Sequence, residues 1–132
     1  LPNVIEEEEK TEDRVLIILD DVISDIHGDE FFEKLIFNRR HSAGSINIII
    51  ATQVYNKLPC KLRKAASHIV IFNSNNKLEN ESIFRELINM SKDEYKNIVK
   101  FVFRQPHDFF FINVNTNEYF RNFNKLVFED IV

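Results

Sequence analysis

Apolar runs alternate with an amphipathic stretch in the first half of this chain. Val15–Leu19 is an unbroken apolar run, and residues 46–52 contain a second one. Runs of this kind are typical of strands buried on both faces of a parallel sheet. Between them, Asp29–Asn38 has the spacing of an amphipathic helix, whose apolar face is formed by Phe31, Phe32, Leu35 and Ile36. Strand, helix and strand in this order predict a βαβ crossover with parallel strands.

The next part of the chain predicts a third strand and a pair of helices. Residues 68–73 form another apolar run, and residues 75–90 have helical apolar spacing. A second helix is expected to begin at Ser91, because Glu94 three residues later completes a capping box. The apolar stripe of this helix consists of Tyr95, Ile98, Val99, Val102 and Phe103.

The last part of the chain predicts a strand pair. Phe109–Val114 is a buried apolar strand, and Lys125–Phe128 is a final strand that could begin as early as Tyr119. His107 and Asp108 precede the pair and are interpreted as a loop, since two adjacent candidate ligands do not make a metal site. The pattern therefore predicts an α/β protein with a mostly parallel sheet and a carboxyl-terminal helical pair and strand pair.

Polar side chains stand where the first two strands end. Asp20 and Asp21 follow the first apolar run, and Gln53 follows the second. Ligands of open α/β sheets bind at the carboxyl ends of strands, so these residues are candidates for a site. Nucleotide hydrolases use such an acidic pair as the Walker B motif, and a Gln can orient the attacking water. The alternative is a buried strand followed by an acidic turn, with a polar strand end at Gln53.

The order of these segments resembles the FtsK–HerA superfamily of ring-forming, DNA-pumping ATPases. The resemblance runs through Val15–Asp21, Arg39–Gly44 and Ile48–Gln53, and Leu58–Phe72 is similar to the stretch that follows the sensor Gln in that family. The Arg-His pair at Arg40 looks most like the genome-packaging branch of large DNA viruses and virophages. The fold that the resemblance implies is a three-layer ASCE P-loop NTPase core.

The resemblance also implies a function and roles for the candidate residues. ATP would drive double-stranded DNA into a viral capsid through a homo-oligomeric ring, with a capsid portal or vertex as a further partner. Asp20 would hold Mg²⁺, partly through water, while Asp21 would polarise the hydrolytic water and Gln53 would read the γ-phosphate. The place of action would be the virion or the host cytoplasm.

The chain departs from the family in one large respect. Phosphate binding needs a Walker A loop, Gly-x-x-x-x-Gly-Lys-Ser/Thr, but the only two glycines are Gly28 and Gly44, and neither stands in such a pattern. We therefore expect this chain to be the carboxyl-terminal part of a longer ATPase, inactive alone. A degenerate, non-catalytic assembly or scaffold module is the alternative.

Two basic clusters offer candidates for an arginine that acts across a subunit boundary. One is Arg39-Arg40-His41, and the other contains Lys57, Lys61, Arg63 and Lys64. Ring ATPases complete each site with an Arg from the neighbouring subunit, and Arg63 is the first candidate, with Arg40 the second. The net charge of −4 means that any DNA contact must come from such local clusters. Inert solvated surface is the alternative for each.

Composition is consistent with a globular piece. A chain of 132 residues with 44% hydrophobic content can build one domain-sized core, so residues 1–132 are predicted to be a single domain piece. Residues 1–13, with the acidic run Glu6–Glu9, are expected to be a linker or loop. No apolar stretch reaches the length of a membrane span and no signal peptide is recognised, so we expect a protein that is not secreted. The single Cys60 allows no internal disulfide.

Overall fold

The computed structural model describes residues 14–21, 30–38 and 45–128. The chain divides into two compact units, Leu1–Gln53 and Val54–Val132. The predicted acidic linker at residues 1–13 lies outside the described residues. None of the helices within the described ranges has the length and apolar character needed to span a membrane.

The first unit contains the predicted strand–helix–strand. Its described elements are β1 (Arg14–Asp20), α1 (Glu30–Asn38) and β2 (Ser45–Ala51). The two strands pair in parallel, as predicted, with a register that runs from Arg14 opposite Ser45 to Asp20 opposite Ala51. This parallel pairing places the carboxyl ends of both strands at one edge of the sheet.

The faces of this parallel pair differ in burial. Ile17 and Leu19 are half-buried, whereas Leu16 and Ile18 on the opposite face are 56% and 62% exposed. The prediction that β1 is buried on both faces is therefore wrong for the described residues. They cover the face of β1 that carries Ile17 and Leu19 more than the opposite face. The difference in burial between the two faces could not be predicted, because the unbroken run places apolar residues on both sides of the strand.

The second unit is built around an antiparallel sheet. A short 3₁₀ turn (Tyr55–Lys57) leads into a set of helices and strands: α2 (Cys60–Ala65), β3 (His68–Phe72), α3 (Lys77–Leu87), α4 (Lys92–Val102), β4 (Phe109–Asn113), β5 (Glu118–Arg121) and β6 (Asn124–Lys125). The strands stand in the order β3-β4-β5-β6, and each neighbouring pair is antiparallel. The mixed α/β class is thus as predicted, including the carboxyl-terminal antiparallel group.

The antiparallel group is larger than the sequence predicted. Among the described residues, parallel pairing is limited to β1 and β2, whereas a mostly parallel sheet that included residues 68–73 was expected. β3 pairs with β4, from His68 opposite Asn113 to Phe72 opposite Phe109. An apolar run indicates burial but carries no information on the direction of the partner strand. The final strand is also shorter than expected, since β6 ends at Lys125.

The core of the second unit lies between α4 and the antiparallel sheet. Ile98 and Val102 of α4 are buried, as the predicted stripe requires, and belong to one cluster with Phe110, Ile112 and Tyr119. The rings of Phe110 and Tyr119 stack with their centroids 5.7 Å apart. The amphipathic stripe therefore fixes which face of α4 meets the sheet.

The predicted capping box begins α4. The Ser91 hydroxyl accepts a hydrogen bond from the backbone N–H of Glu94 at 3.3 Å, and the Glu94 carboxylate accepts one from the backbone N–H of Ser91 at 2.9 Å. Hydrogen bonds from the Ser91 side chain and backbone lower the pKa of Glu94 below its ordinary value. The box satisfies donors that the first helical turn would otherwise leave without partners.

Asp108 organises the loop between α4 and β4. This buried carboxylate accepts hydrogen bonds from the backbone N–H of Gln105 at 2.8 Å, from the Arg121 guanidinium at 2.8 Å and from the Asn122 amide at 3.1 Å. The predicted loop at His107 and Asp108 is confirmed, but its carboxylate joins the loop to the end of β5. Hydrogen bonds, the largest from Asn122, hold the pKa of Asp108 well below its usual range.

Asp108→Asn is expected to lower thermal stability at neutral pH and to reduce its dependence on acid. The unfolded chain, with an aspartate pKa of about 3.9, binds the proton more tightly than the folded protein. Asp108 therefore contributes stability that is complete above about pH 4 and is lost as the pH falls toward the lower folded pKa. Thermal melting followed by circular dichroism over a pH series measures the effect. Glu81→Gln, at an exposed site, serves as the control, and an equal acid dependence of Asp108→Asn and the parent would contradict the prediction.

Candidate functional site

The candidate site lies at the carboxyl edge of the parallel pair. Asp20 is the last residue of β1 and stands opposite Ala51, the last residue of β2. Asp21 follows directly, and Gln53 lies two residues beyond Ala51. Because the strands run in the same direction about 4.8 Å apart, the three predicted residues emerge at the same edge. The expectation that Asp21 and Gln53 share this edge is confirmed.

Asp21, directly after β1, has a left-handed backbone conformation. Its φ angle is 54°, a region that residues other than Gly occupy uncommonly and that Asp tolerates better than most. The backbone N–H of Asp21 donates a hydrogen bond to the carbonyl oxygen of Ala51 at 3.0 Å. This bond extends the parallel ladder by one residue and fixes the second acid against the neighbouring strand. Conformations of this kind cost on the order of 1 kcal/mol and cluster at functional sites.

The side chains at this edge are accessible. Asp20, Asp21 and Gln53 are all exposed, and within the described ranges no ion pair or side-chain hydrogen bond engages either carboxylate. Two free carboxylates suit Mg²⁺, which is bound in phosphate-handling sites by one or two carboxylates, several waters and the substrate's phosphates. The residues that the structure describes contain no group of three or more His, Cys, Asp or Glu side chains that could hold a metal by themselves. The donor set therefore fits an ion shared with phosphate.

Arg63, the first candidate for an arginine acting in trans, is engaged within its own unit. Its Nη1 donates to both carboxylate oxygens of Glu86, at 2.8 Å and 3.1 Å, and its side chain is 14% exposed. The guanidinium carbon lies 5.0 Å from the centroid of the Tyr55 ring. To reach a neighbouring subunit, the guanidinium would have to leave this ion pair.

Tyr55 completes this three-residue cluster. Its hydroxyl donates a hydrogen bond to Glu86 at 2.7 Å. Burial, followed by that hydrogen bond to the carboxylate, raises the pKa of Tyr55 well above its ordinary value. The cluster of Tyr55, Arg63 and Glu86 thus connects the turn before α2, α2 itself and the end of α3. Arg40, the second candidate, lies outside the described residues.

The sequence interpretation missed two glutamates of α3. Glu79 is buried, and its carboxylate accepts hydrogen bonds from the backbone N–H of Tyr55 and from the Ser74 hydroxyl, the latter at 3.2 Å. Asn76 caps the same helix by accepting a hydrogen bond from the backbone N–H of Glu79 at 3.2 Å. A cap residue followed three positions later by Glu is a recognisable signal for Glu79. The pairing of Glu86 with Arg63 has no local signal, because the partners are 23 residues apart.

Comparisons with known proteins add a family and a fold. The sequence model of a family described as Poxvirus A32 protein matches residues 2–108. The genome packaging NTPase B204 from Sulfolobus turreted icosahedral virus 2, solved in complex with ATPγS, has a similar structure, with a TM-score of 0.65 and 19% sequence identity. The match covers 84% of this chain and 52% of that one, so the chain spans about half the length of the matched structure. No curated protein matches the chain.

Proposed function

Because the chain belongs to the poxvirus A32 protein family, whose members are viral genome-packaging ATPases, we propose that it supplies the metal-binding and water-activating half of such an enzyme. The predicted FtsK–HerA type and NTPase fold are confirmed by the family and by the structural match. A protein of this family acts in the host cell during virion assembly. The observation that carries the proposal is the parallel pairing of β1 and β2, which brings Asp20, Asp21 and Gln53 to one edge.

The residues at this edge have complementary chemistry. Asp20 would hold Mg²⁺, partly through water, and the ion would neutralise charge on the β- and γ-phosphates of ATP. The Asp21 carboxylate would accept a hydrogen bond from the attacking water and take its proton as the water oxygen bonds to the γ-phosphorus, the bond from that phosphorus to the β–γ bridging oxygen breaks and ADP leaves. The Gln53 amide would donate to the γ-phosphate or orient the same water. The exposure of all three side chains supports these roles, since each must reach a ligand outside the sheet.

The phosphate-cradling loop would come from residues outside this sequence. Neither Gly28 nor Gly44 belongs to a Walker A pattern, and backbone amides of that loop provide most of the contacts to the phosphates. We therefore propose that residues 1–132 work as part of a longer polypeptide that assembles into a homo-oligomeric ring. Its partners would be double-stranded DNA and a capsid portal or vertex, with Arg63 or Arg40 completing the neighbouring site.

We expect the 132-residue chain alone to show no saturable binding of a fluorescent ATP analogue with Mg²⁺ up to about 1 mM, a concentration at which even weak complexes form. The physical reason is that the carboxylates act on metal and water, while the loop supplies phosphate affinity. The polypeptide that also carries the loop serves as the positive control and should bind and hydrolyse ATP. Low-micromolar binding by the 132-residue chain would contradict the proposal that phosphate affinity comes from a loop outside this sequence. Failure of the longer polypeptide to bind would favour the scaffold alternative.

A further inference from the structure

A wide groove lies within the second unit, between α3 and α4. Its volume is about 1090 Å³, close to the upper end of the range of about 300–1,000 Å³ that is typical of small-molecule pockets. The floor is apolar and is formed by half-buried side chains of both helices and of the sheet beneath them. It includes Ile71, Phe84, Ile88, Tyr95 and Val99.

The rim of this groove is basic. α4 contributes Lys92, Lys96 and Lys100, which recur every four residues and therefore form one line along the helix. α3 contributes Lys77 and Arg85 from the other side. Positive charge therefore borders the apolar floor on both sides.

Little of this charge is neutralised. Glu81 is the acidic side chain that lines the groove, and it stands 4.0 Å from Lys92 in a loose, exposed pair. In the part of the chain that the structure describes, Lys96, Lys100 and Arg85 form no ion pair. A ligand that brings apolar groups flanked by carboxylates would match both the floor and the rim.

We propose that this groove binds an acidic amphipathic helix of a partner protein. Such a helix would lay its apolar face on the floor, and carboxylates beside that face would meet the lysine line of α4. The eleven residues of α4 span about 16 Å at 1.5 Å per residue, which suits a partner helix with about three turns in contact. This mode, an amphipathic helix in an apolar groove, needs no nucleotide and is independent of the site at Asp20 and Asp21.

The floor favours a peptide over nucleic acid. The bases of a duplex are stacked inside the helix, so its phosphates could pair with the lysines but would leave the apolar floor without a partner. Single strands bind by stacking bases on open aromatic faces. Here the rings pack on one another, with the Tyr95 centroid 5.2 Å from that of Phe84 and 6.5 Å from that of Phe110, both at tilted angles.

Fluorescence anisotropy with the full 132-residue chain tests the proposal. The probe is a fluorescein-labelled peptide of about 14 residues, roughly four helical turns, with Leu at positions i, i+3, i+4 and i+7 and Glu beside them. We expect saturable binding and a gain of peptide helicity. Reversing two exposed rim charges with Lys96→Glu and Lys100→Glu should weaken binding at least tenfold, and replacing both by Ala should weaken it less. Lys64→Glu, an exposed charge on α2 outside the groove, should leave the affinity unchanged.

Three controls make the outcome decisive. Circular dichroism should show that the charge variants melt as the parent does, since the substituted side chains are exposed. A peptide with the same glutamates but Ser in place of Leu should not bind, and equal binding of this peptide would overturn the role of the floor. Absence of saturable binding of the original peptide would overturn the proposal. A single-stranded oligonucleotide that binds more tightly than the peptide, with the same loss in the Lys96 and Lys100 variants, would overturn it in favour of nucleic acid.

Discussion

Asp21→Asn in the polypeptide that carries the phosphate-binding loop should leave ATP affinity nearly unchanged. It should lower turnover by roughly two orders of magnitude or more, which is the effect expected for the loss of a positioned acid–base group. The amide has the shape of the carboxylate but cannot take a proton from water. ATP affinity should survive because, in the proposed arrangement, the loop makes most of the phosphate contacts. Steady-state hydrolysis and equilibrium titration of a nucleotide analogue measure the two quantities separately.

The backbone of Asp21 provides a matched control for this experiment. Asn occupies the left-handed region about as readily as Asp, and Gly does so without steric cost, so neither substitution should disturb the turn at φ 54°. Asp21→Gly should therefore lose turnover like Asp21→Asn while remaining folded. Ala, which lacks both the carboxylate and the tolerance of this conformation, should reduce stability as well. Unchanged turnover in Asp21→Asn would contradict the assigned role.

The candidate edge could be predicted because its geometry depends on neighbouring segments of the chain. A strand, a helix and a strand in sequence give parallel pairing almost by default, and this pairing alone brings Asp20, Asp21 and Gln53 together. The left-handed conformation of Asp21 and its backbone hydrogen bond to Ala51 on the other strand could not be predicted, because nothing in the local sequence marks either.

The second unit shows where local patterns fail. The capping box at Ser91 was predictable because both partners lie within one helical turn. The antiparallel pairing of β3 with β4 joins segments about forty residues apart, and both read simply as apolar runs. Asp108 likewise gains its importance from Arg121 and Asn122, which its own loop does not reveal. Polar contacts between residues far apart along the chain are therefore the features that could not be predicted from the sequence.

Glu86 bears directly on how Arg63 should be tested. If Arg63 serves only to join α2 to α3, then Glu86→Gln, which weakens the same ion pair, should reproduce the phenotype of Arg63→Ala. If Arg63 also acts in trans, Glu86→Gln leaves the guanidinium in place and hydrolysis should be largely retained. The side chains of the pair are largely shielded, at 14% and 29% exposure, so thermal melting of both variants should accompany the activity measurement to show that they fold and assemble.

Arg63→Ala in the assembled ring is expected to cut hydrolysis by about a thousandfold, because an arginine finger stabilises charge that develops in the transition state and adds little to substrate binding. The loss should therefore appear in kcat with KM little changed. Mixing Arg63→Ala subunits with Asp21→Asn subunits should partly restore activity, since some interfaces then combine an intact acid with an intact arginine. Arg63→Lys should restore little, because lysine lacks the planar fork that engages two phosphate oxygens at once. Restoration in mixed rings with Arg40→Ala, but not with Arg63→Ala, would assign the trans-acting role to Arg40 and leave Arg63 as the residue that holds Glu86.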